Sequence, residues 1–237
     1  MRTIAIYGGR FQIFHLGHKS VYDHLVKQFG SDNVYIVSSN KQAPVSSPFS
    51  FDDKTKMMQA LKIPQDHIIQ VKNPYQAKEV TDQVDGQNTS IVFALSAKDA
   101  ERFTFKPKKD GSPSYMQPYP GNDNLKPLTE TGYILVVPTI NFEVLGNSVK
   151  SASAIRGMYL KSNDNDRIKI LKDLYGKATK QMKSLFDKQL SITETFLNLY
   201  NNTTLLESKS ILRRKQIITK ARILESKISK EEFNFKK

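Results

Sequence analysis

The chain of 237 residues contains no cysteine. This absence excludes disulfide bonds, thiolate metal sites and a cysteine nucleophile, and it gives no sign of secretion. No apolar run approaches the roughly 18 residues that a membrane span needs. The apolar run at residues 4–7 is too short for the core of a signal peptide and predicts a strand instead. We therefore expect a soluble, cytoplasmic protein with no membrane partner.

Three common catalytic motifs are missing as well. There is no HExxH sequence, which disfavours a zinc hydrolase. The phosphate-binding loop GxxxxGK[ST] is not formed around Lys19 and Ser20, and the dinucleotide fingerprint GxGxxG does not occur. A P-loop enzyme and a GxGxxG dinucleotide-binding enzyme are therefore not indicated.

The net charge of +13 is distributed unevenly. Residues 157–237 hold 18 Lys and Arg against 9 Asp and Glu, whereas the first 156 residues carry a net charge of only +4. A solvated helical surface explains such an excess, and so does a nucleic-acid or acidic protein partner. Charge leaves both readings open. With 38% hydrophobic residues, the chain is long enough for one domain and an appendage.

Apolar, β-branched runs predict five strands, and helix-like segments lie between them. The strands are predicted at residues 3–7, 34–38, 68–71, 91–95 and 134–137, and the helices at 17–29, 52–61, 75–84 and after Ser153. Alternating strands and helices favour right-handed βαβ units and a mainly parallel sheet with ligands at the carboxyl ends of its strands.

Two segments depart from this alternation. Residues 103–128 are rich in proline and glycine and predict a long loop, which is typical of a lid, a binding loop or a disordered segment. After residue 160, two apolar stripes at helical spacing predict amphipathic helices. The sheet domain, a second copy in a homo-oligomer or another partner must cover these stripes, which are Ile168, Leu171, Leu174, Ala178, Met182 and Leu185, then Ile211, Ile217, Ala221, Leu224 and Ile228.

The segment GGRFQIFHLGH, residues 8–18, directly follows the first predicted strand. Gly8 and Gly9 allow a tight turn and close approach of the backbone to a ligand. Gly17 and His18 open the next helix, whose free N–H groups attract phosphate. His15 and His18 would then donate hydrogen bonds to phosphates and stabilise the charge that develops during phosphoryl transfer.

A second segment, SASAIR at residues 151–156, lies at the predicted start of another helix. Ser151 and Ser153 suit a helix cap that also donates to phosphate oxygens. Arg156, one turn further, carries a fork of N–H donors that suits a polyphosphate. Taken alone, the segment is equally typical of an ordinary helix start with a surface arginine.

The two segments resemble the HxGH and ISSTxIR signatures of the nucleotidylyltransferase superfamily and occur in the same order. The first is more similar to the GRFQPFHxGH form of archaeal-type nicotinamide-mononucleotide adenylyltransferases than to the GTFDxxHxGH form of glycerol-phosphate cytidylyltransferases. The resemblance covers about residues 1–160, with Ile13 in place of the usual proline and Ala152 in place of the second serine.

The resemblance implies that ATP phosphates are bound by His15, His18, Ser151, Ser153 and Arg156, in contact with the loop that contains Gly8, Gly9, Arg10, Phe11 and Gly17. Mg²⁺ would assist, held mainly by the nucleotide phosphates. Three further positions are candidates for acceptor binding by resemblance or by position, and each is also compatible with an ordinary surface residue: Lys41, Lys54 and Asp99.

These observations predict a Rossmann-like α/β domain over residues 1–160, with a five-stranded parallel sheet of order 3-2-1-4-5, and a basic helical extension over residues 161–237. The predicted reaction transfers AMP from ATP to a phosphorylated acceptor, with nicotinamide mononucleotide first, giving NAD and pyrophosphate. Other acceptors stay open, among them sugar or polyol phosphates with CTP, phosphopantetheine and FMN. A binding or assembly protein that retains a nucleotide pocket is the alternative outside the enzymes.

Overall fold

The computed structural model describes residues 1–138, 140, 142–149 and 151–206, and the side chains of these residues up to 199. Contacts divide the chain into Met1–Ile192 and Thr193–Lys237, and the first unit contains the sheet. The second predicted apolar stripe, residues 211–228, lies outside the described residues. No helix in the described part of the chain has the length and apolar character of a membrane span.

A six-stranded sheet forms the centre of the first unit, and every pair of neighbouring strands in it is parallel. In spatial order it reads β3-β2-β1-β4-β6-β5. The predicted Rossmann-like parallel sheet is confirmed, and the five predicted strands lie in the predicted order. Its strands are β1 (Arg2–Gly8), β2 (Val34–Ser38), β3 (Ile68–Gln70), β4 (Thr89–Ser96), β5 (Met116–Pro118) and β6 (Gly132–Val137).

The sixth strand, β5, corrects the prediction of an uninterrupted loop over residues 103–128. It pairs with the start of β6 and ends at Pro118. A proline is tolerated there because β5 is an edge strand, where a missing N–H leaves no neighbour unpaired. Three residues among prolines are too few to produce a visible strand pattern in the sequence.

In the part of the chain that the structure describes, seven α-helices flank or follow the strands. The predicted segments 17–29 and 52–61 are confirmed to within one residue, whereas 75–84 contains only a four-residue helix because Ala77 has left-handed backbone angles, with φ 44°. The helices are α1 (Leu16–Phe29), α2 (Phe51–Ala60), α3 (Lys78–Thr81), α4 (Ala97–Ala100), α5 (Ala152–Lys161), α6 (Asp164–Tyr175) and α7 (Lys180–Leu206).

A short antiparallel hairpin, which the sequence patterns did not predict, stands between β6 and α5. It consists of β7 (Phe142–Val144) and β8 (Asn147–Val149). Leu145 and Gly146 form its two-residue turn with φ values of 52° and 71°. Positive φ at both positions is the geometry that matches the twist of a tight hairpin.

The first predicted apolar stripe of the tail is covered by the sheet domain itself. Leu171, Leu174 and Met182 are buried in the same hydrophobic cluster as residues of β1 and β2. Phe186, also in that cluster, is fully buried and contacts the Phe49 ring at a centroid distance of 5.3 Å. The predicted boundary near residue 160, between the Rossmann-like domain that carries the active site and the helical extension, stays a prediction.

Candidate active site

The loop between β1 and α1 requires glycine because its backbone passes very close to neighbouring atoms. A Cβ atom at Gly8 would lie 2.7 Å from the carbonyl oxygen of Pro74, and one at Gly9 would lie 2.8 Å from the Phe11 ring. Real Cβ contacts do not become so short, so a larger residue at Gly8 would displace backbone and one at Gly9 would displace the Phe11 ring. Phe11 itself has a φ of 43°. The two glycines and Phe11 therefore define the conformation of this loop.

Gln12 anchors the loop to the segment that precedes α2. Its side-chain amide donates to the carbonyl oxygen of Phe49 at 3.1 Å and accepts from the Phe49 N–H at 3.0 Å. Only 6% of Gln12 is exposed, so both bonds are made away from solvent. The sequence reasoning missed this role, although a glutamine inside a glycine-flanked motif is a usable signal.

Lys54 supports the same loop from behind. Lys54 as a whole residue is only 1% exposed. Its ammonium group donates to Ser38 Oγ at 2.9 Å, to the Ser39 carbonyl oxygen and to the Arg10 carbonyl oxygen at 3.4 Å. Burial lowers the pKa of Lys54 to about 8. The structure therefore places Lys54, which was predicted to bind the acceptor, beneath the loop, where it joins α2 to the end of β2.

His15 is the N-cap of α1, and it forms a reciprocal capping box with His18. His15 Nδ1 accepts from the Gly17 N–H at 3.1 Å, and His18 Nδ1 accepts from the His15 N–H at 3.4 Å. A Cβ atom at Gly17 would lie 2.9 Å from His15 Cε1, so only glycine leaves space for this ring. The local sequence thus fixes both imidazoles at the helix N-terminus.

The same hydrogen bonds assign the tautomers of both rings. A nitrogen that accepts a hydrogen bond carries no proton, so each neutral imidazole has its proton on Nε2. Burial lowers the pKa of His15 to about 4, and burial together with the His15 charge lowers the pKa of His18 well below its usual value. At neutral pH the ligand-free site therefore offers two neutral Nε2–H donors.

Arg156 enters from α5, whose N-cap is Ser151. Its guanidinium is buried, and three of its N–H groups donate to the Gln12 carbonyl oxygen at 3.1 Å, the Val45 carbonyl oxygen at 3.1 Å and Ser153 Oγ at 3.0 Å. Burial, followed by the charge of Arg10, lowers the pKa of Arg156. Since a guanidinium has five N–H donors, two are left for a ligand.

A cavity of about 400 Å³ brings these elements together at the carboxyl ends of the strands. Of the thirteen predicted site residues, eleven line it, and the two that do not are Lys41 and Lys54. Lys41 is exposed in the loop after β2. Phe142 of the hairpin also lines the cavity, and no motif in the sequence indicated it.

The cavity is cationic. Among the described residues that line it, Arg10 and Arg156 are the permanent cations and Asp99 is the one carboxylate. Neither arginine forms an ion pair with any described residue. A buried cation without a counter-ion is costly, and an anionic ligand removes that cost. The arrangement suits a polyanion at the N-termini of α1 and α5.

Asp99 already has protein partners on both carboxylate oxygens. Oδ1 accepts from the Tyr75 hydroxyl at 2.8 Å and lies 3.4 Å from Arg102 Nε, and Oδ2 accepts from Ser96 Oγ at 3.0 Å. The Arg102 guanidinium also lies over the Tyr75 ring, 5.1 Å from its centroid. Asp99 thus organises this side of the cavity, and its remaining lone pairs are the ones it can offer to a ligand.

Comparison with protein-family models finds a match between residues 6–109 and the cytidylyltransferase-like family. This segment contains the first motif, the loop and Asp99, whereas the motif around Arg156 lies beyond it. Comparison with curated protein sequences finds no match.

Solved structures of similar fold include nicotinamide-nucleotide enzymes. A bifunctional NMN adenylyltransferase/ADP ribose pyrophosphatase from Francisella tularensis is 16% identical, with a TM-score of 0.50; the match covers 89% of this chain and 58% of that one. The chain thus spans little more than half of that protein. A second structure of that enzyme, complexed with AMP and Mn ion, has 16% identity, a TM-score of 0.49 and coverages of 89% and 57%.

Plasmodium falciparum nicotinic acid mononucleotide adenylyltransferase, complexed with NaAD, is 16% identical with a TM-score of 0.44, and the match covers 79% of this chain and 96% of that one. At these identities the first Francisella structure supports the fold and nothing finer. Residues 6–109 are thus similar to cytidylyltransferase-like domains, over less than half of the chain.

Proposed function

We propose that the cavity binds ATP and transfers its AMP group to a phosphorylated acceptor, with nicotinamide mononucleotide as the first candidate and NAD and pyrophosphate as products. One observation carries the proposal. Two neutral imidazole donors and a buried arginine that has no carboxylate partner among the described residues converge at the N-termini of two helices. This combination favours a triphosphate over a single phosphate because it offers donors from two separate elements.

The chemistry requires positioning and charge stabilisation, and it requires no covalent intermediate. A phosphate oxygen of the acceptor attacks the α-phosphorus in line while the bond to the bridging oxygen breaks and pyrophosphate leaves with the electron pair. His15 and His18 donate from Nε2 to phosphate oxygens as this charge develops. Removal of one such donor typically lowers kcat by roughly 10²–10³.

Mg²⁺ fits the site only if the nucleotide supplies most of its ligands. The described residues contain no group of three His, Asp or Glu that would hold a metal ion, and Asp99 is the one carboxylate in the cavity lining. Mg²⁺ commonly keeps several waters and binds substrate phosphates with one or two carboxylates. When bound, it would neutralise part of the triphosphate charge.

The test is pyrophosphate release with Mg²⁺, with ATP and CTP assayed separately against nicotinamide mononucleotide, phosphopantetheine, FMN and a polyol phosphate. We expect release with ATP and nicotinamide mononucleotide, with NAD appearing. Release with another pair would retain the enzyme class and replace the substrate. No pyrophosphate release with any pair, together with strongly salt-dependent nucleic-acid binding, would favour the binding-protein alternative.

His18→Ala tests the assignment of the histidine, and His24→Ala is its matched control because His24 is an exposed residue of the same helix. We expect His18→Ala to lower kcat at least about 10²-fold with little change in the unfolding temperature. His24→Ala should behave as the unmodified protein. A fully active His18→Ala variant would refute the proposed role.

A further inference from the structure

The β7–β8 hairpin forms one wall of the cavity and lies in the chain between β6 and α5. Its flanking residues Pro138 and Ser151 both line the cavity, as do Phe142 and Val149 within it. The hairpin therefore lies where a small displacement changes the site. Neither of the two sequence motifs contains it.

Phe142, at the start of β7, packs directly on His15. The two rings are stacked, with centroids 4.4 Å apart and an interplanar angle of 26°. The His15 ring also lies near the His18 ring, at a centroid distance of 4.1 Å and an interplanar angle of 49°. The His15 ring thus contacts two other rings, and the hydrogen bond that its Nδ1 accepts from the Gly17 N–H also restrains its orientation.

The opposite end of the hairpin is fixed to α6. Asp173 Oδ2 accepts a hydrogen bond from the Leu145 N–H at 2.9 Å. This N–H belongs to the turn of the hairpin, so no strand partner within the hairpin satisfies it. Val144, beside the turn, is fully buried in the cluster that also contains Leu171 and Leu174 of α6. The hairpin is thus attached to the helical segment at one end and to His15 at the other.

We propose that Phe142 is a positioning residue for His15 and that α6 holds Phe142 in place through Asp173 and the hairpin turn. Helix α6, at the start of the predicted helical extension, would then have a role at the site that neither of the two sequence motifs indicates. It deepens the proposed transfer reaction and depends on it only for the catalytic consequence. The positioning itself has a readout that needs no substrate.

The substrate-independent readout is the titration of the His15 ring, followed by NMR in the full-length protein and assigned by comparison with His15→Asn. The pKa of His15 is lowered to about 4 because the ring is buried. Phe142→Ala removes one face of that cover, and we expect the pKa to rise by about one unit or more. Phe142→Leu, which retains apolar bulk without a flat ring, gives the same direction if the alanine variant does not fold.

Asp173 is tested with a matched pair. Asp173→Ala removes the acceptor for the Leu145 N–H, whereas Asp173→Asn retains a side-chain oxygen that accepts the same bond. We expect Asp173→Ala to raise the pKa of His15 by less than Phe142→Ala does, and Asp173→Asn to restore the original titration. Transfer assays on the same variants should show kcat lowered by about tenfold or more in Phe142→Ala, with a smaller change in KM.

An unchanged His15 titration in folded Phe142→Ala or Phe142→Leu would overturn the positioning role, whatever the enzymatic activity. If the unmodified protein shows no transfer with any acceptor but the titration moves as expected, the positioning stands and the proposed reaction fails. If Asp173→Ala and Asp173→Asn titrate alike, the α6 part of the proposal is wrong.

Discussion

Gly17→Ala is expected to lower the transfer rate about ten- to a hundredfold while leaving the fold in place. Gly17 is the second residue of α1, directly after the capping His15 and Leu16. The new Cβ atom would lie 2.9 Å from His15 Cε1, 3.1 Å from His15 Nδ1 and 3.6 Å from Phe142 Cδ2. The imidazole must therefore move away from its position, and its hydrogen bond from the Gly17 N–H must lengthen or break.

The effects on stability nearly cancel, whereas the effects on catalysis do not. Alanine in place of glycine stabilises a helix by up to about 1 kcal/mol. Loss of the N-cap bond costs about 1 kcal/mol. The free energy of unfolding should therefore change by less than about 1 kcal/mol in either direction. Displacement of a donor by a fraction of an ångström to one ångström costs about ten- to a hundredfold in rate.

Gly157→Ala is the matched control because Gly157 lies in α5 with no atom within 4 Å of its added Cβ. We expect this variant to be slightly more stable and fully active. Thermal unfolding and pyrophosphate release on both variants give the comparison. Equal activity of Gly17→Ala and Gly157→Ala would refute the argument that the His15 position governs transfer.

Two further predictions concern charge. Acidification of the protein from pH 6.5 to about 4 should lower its stability, because the unfolded chain binds protons on His15 and His18 that the folded site does not bind. The His15 part is at most about 3 kcal/mol, and denaturant unfolding at several pH values should show a smaller pH dependence in His15→Asn than in the unmodified protein. Lys54→Met should lower the free energy of unfolding by about 1–3 kcal/mol, since it removes the donor to the Arg10 carbonyl oxygen, and it should reduce transfer, whereas Lys56→Met on the exposed face of α2 should change neither. A stable, active Lys54→Met would contradict the support role.

The sheet was predictable because five of its strands correspond to continuous apolar segments of the sequence. Five strands bury continuous apolar runs, and parallel pairing through helices restricts their order. The sixth strand and the hairpin were not predictable, since each strand has three residues and is defined by pairing rather than by pattern. Helix α3 begins only after Ala77 because this residue has left-handed backbone angles, and an alanine at that position does not predict such angles.

The histidines and Arg156 were identifiable because they fall in short motifs at element ends. Lys54 shows the limit of that reasoning. Lys54 was a candidate for acceptor binding by resemblance, but whether its ammonium faces the cavity or the protein depends on side-chain direction, and here it faces Ser38 and Ser39. Phe142 was invisible because its partner, His15, is 127 residues away in the chain.

The most direct test follows the label of the α-phosphate. The protein is incubated with Mg²⁺, nicotinamide mononucleotide and ATP labelled at either the α- or the γ-phosphate, and the products are separated. We expect the α label in NAD and the γ label in pyrophosphate, and we expect His18→Ala to lower both. Appearance of the γ label in the acceptor or as inorganic phosphate would contradict this expectation, because the cavity would then break a different phosphate bond.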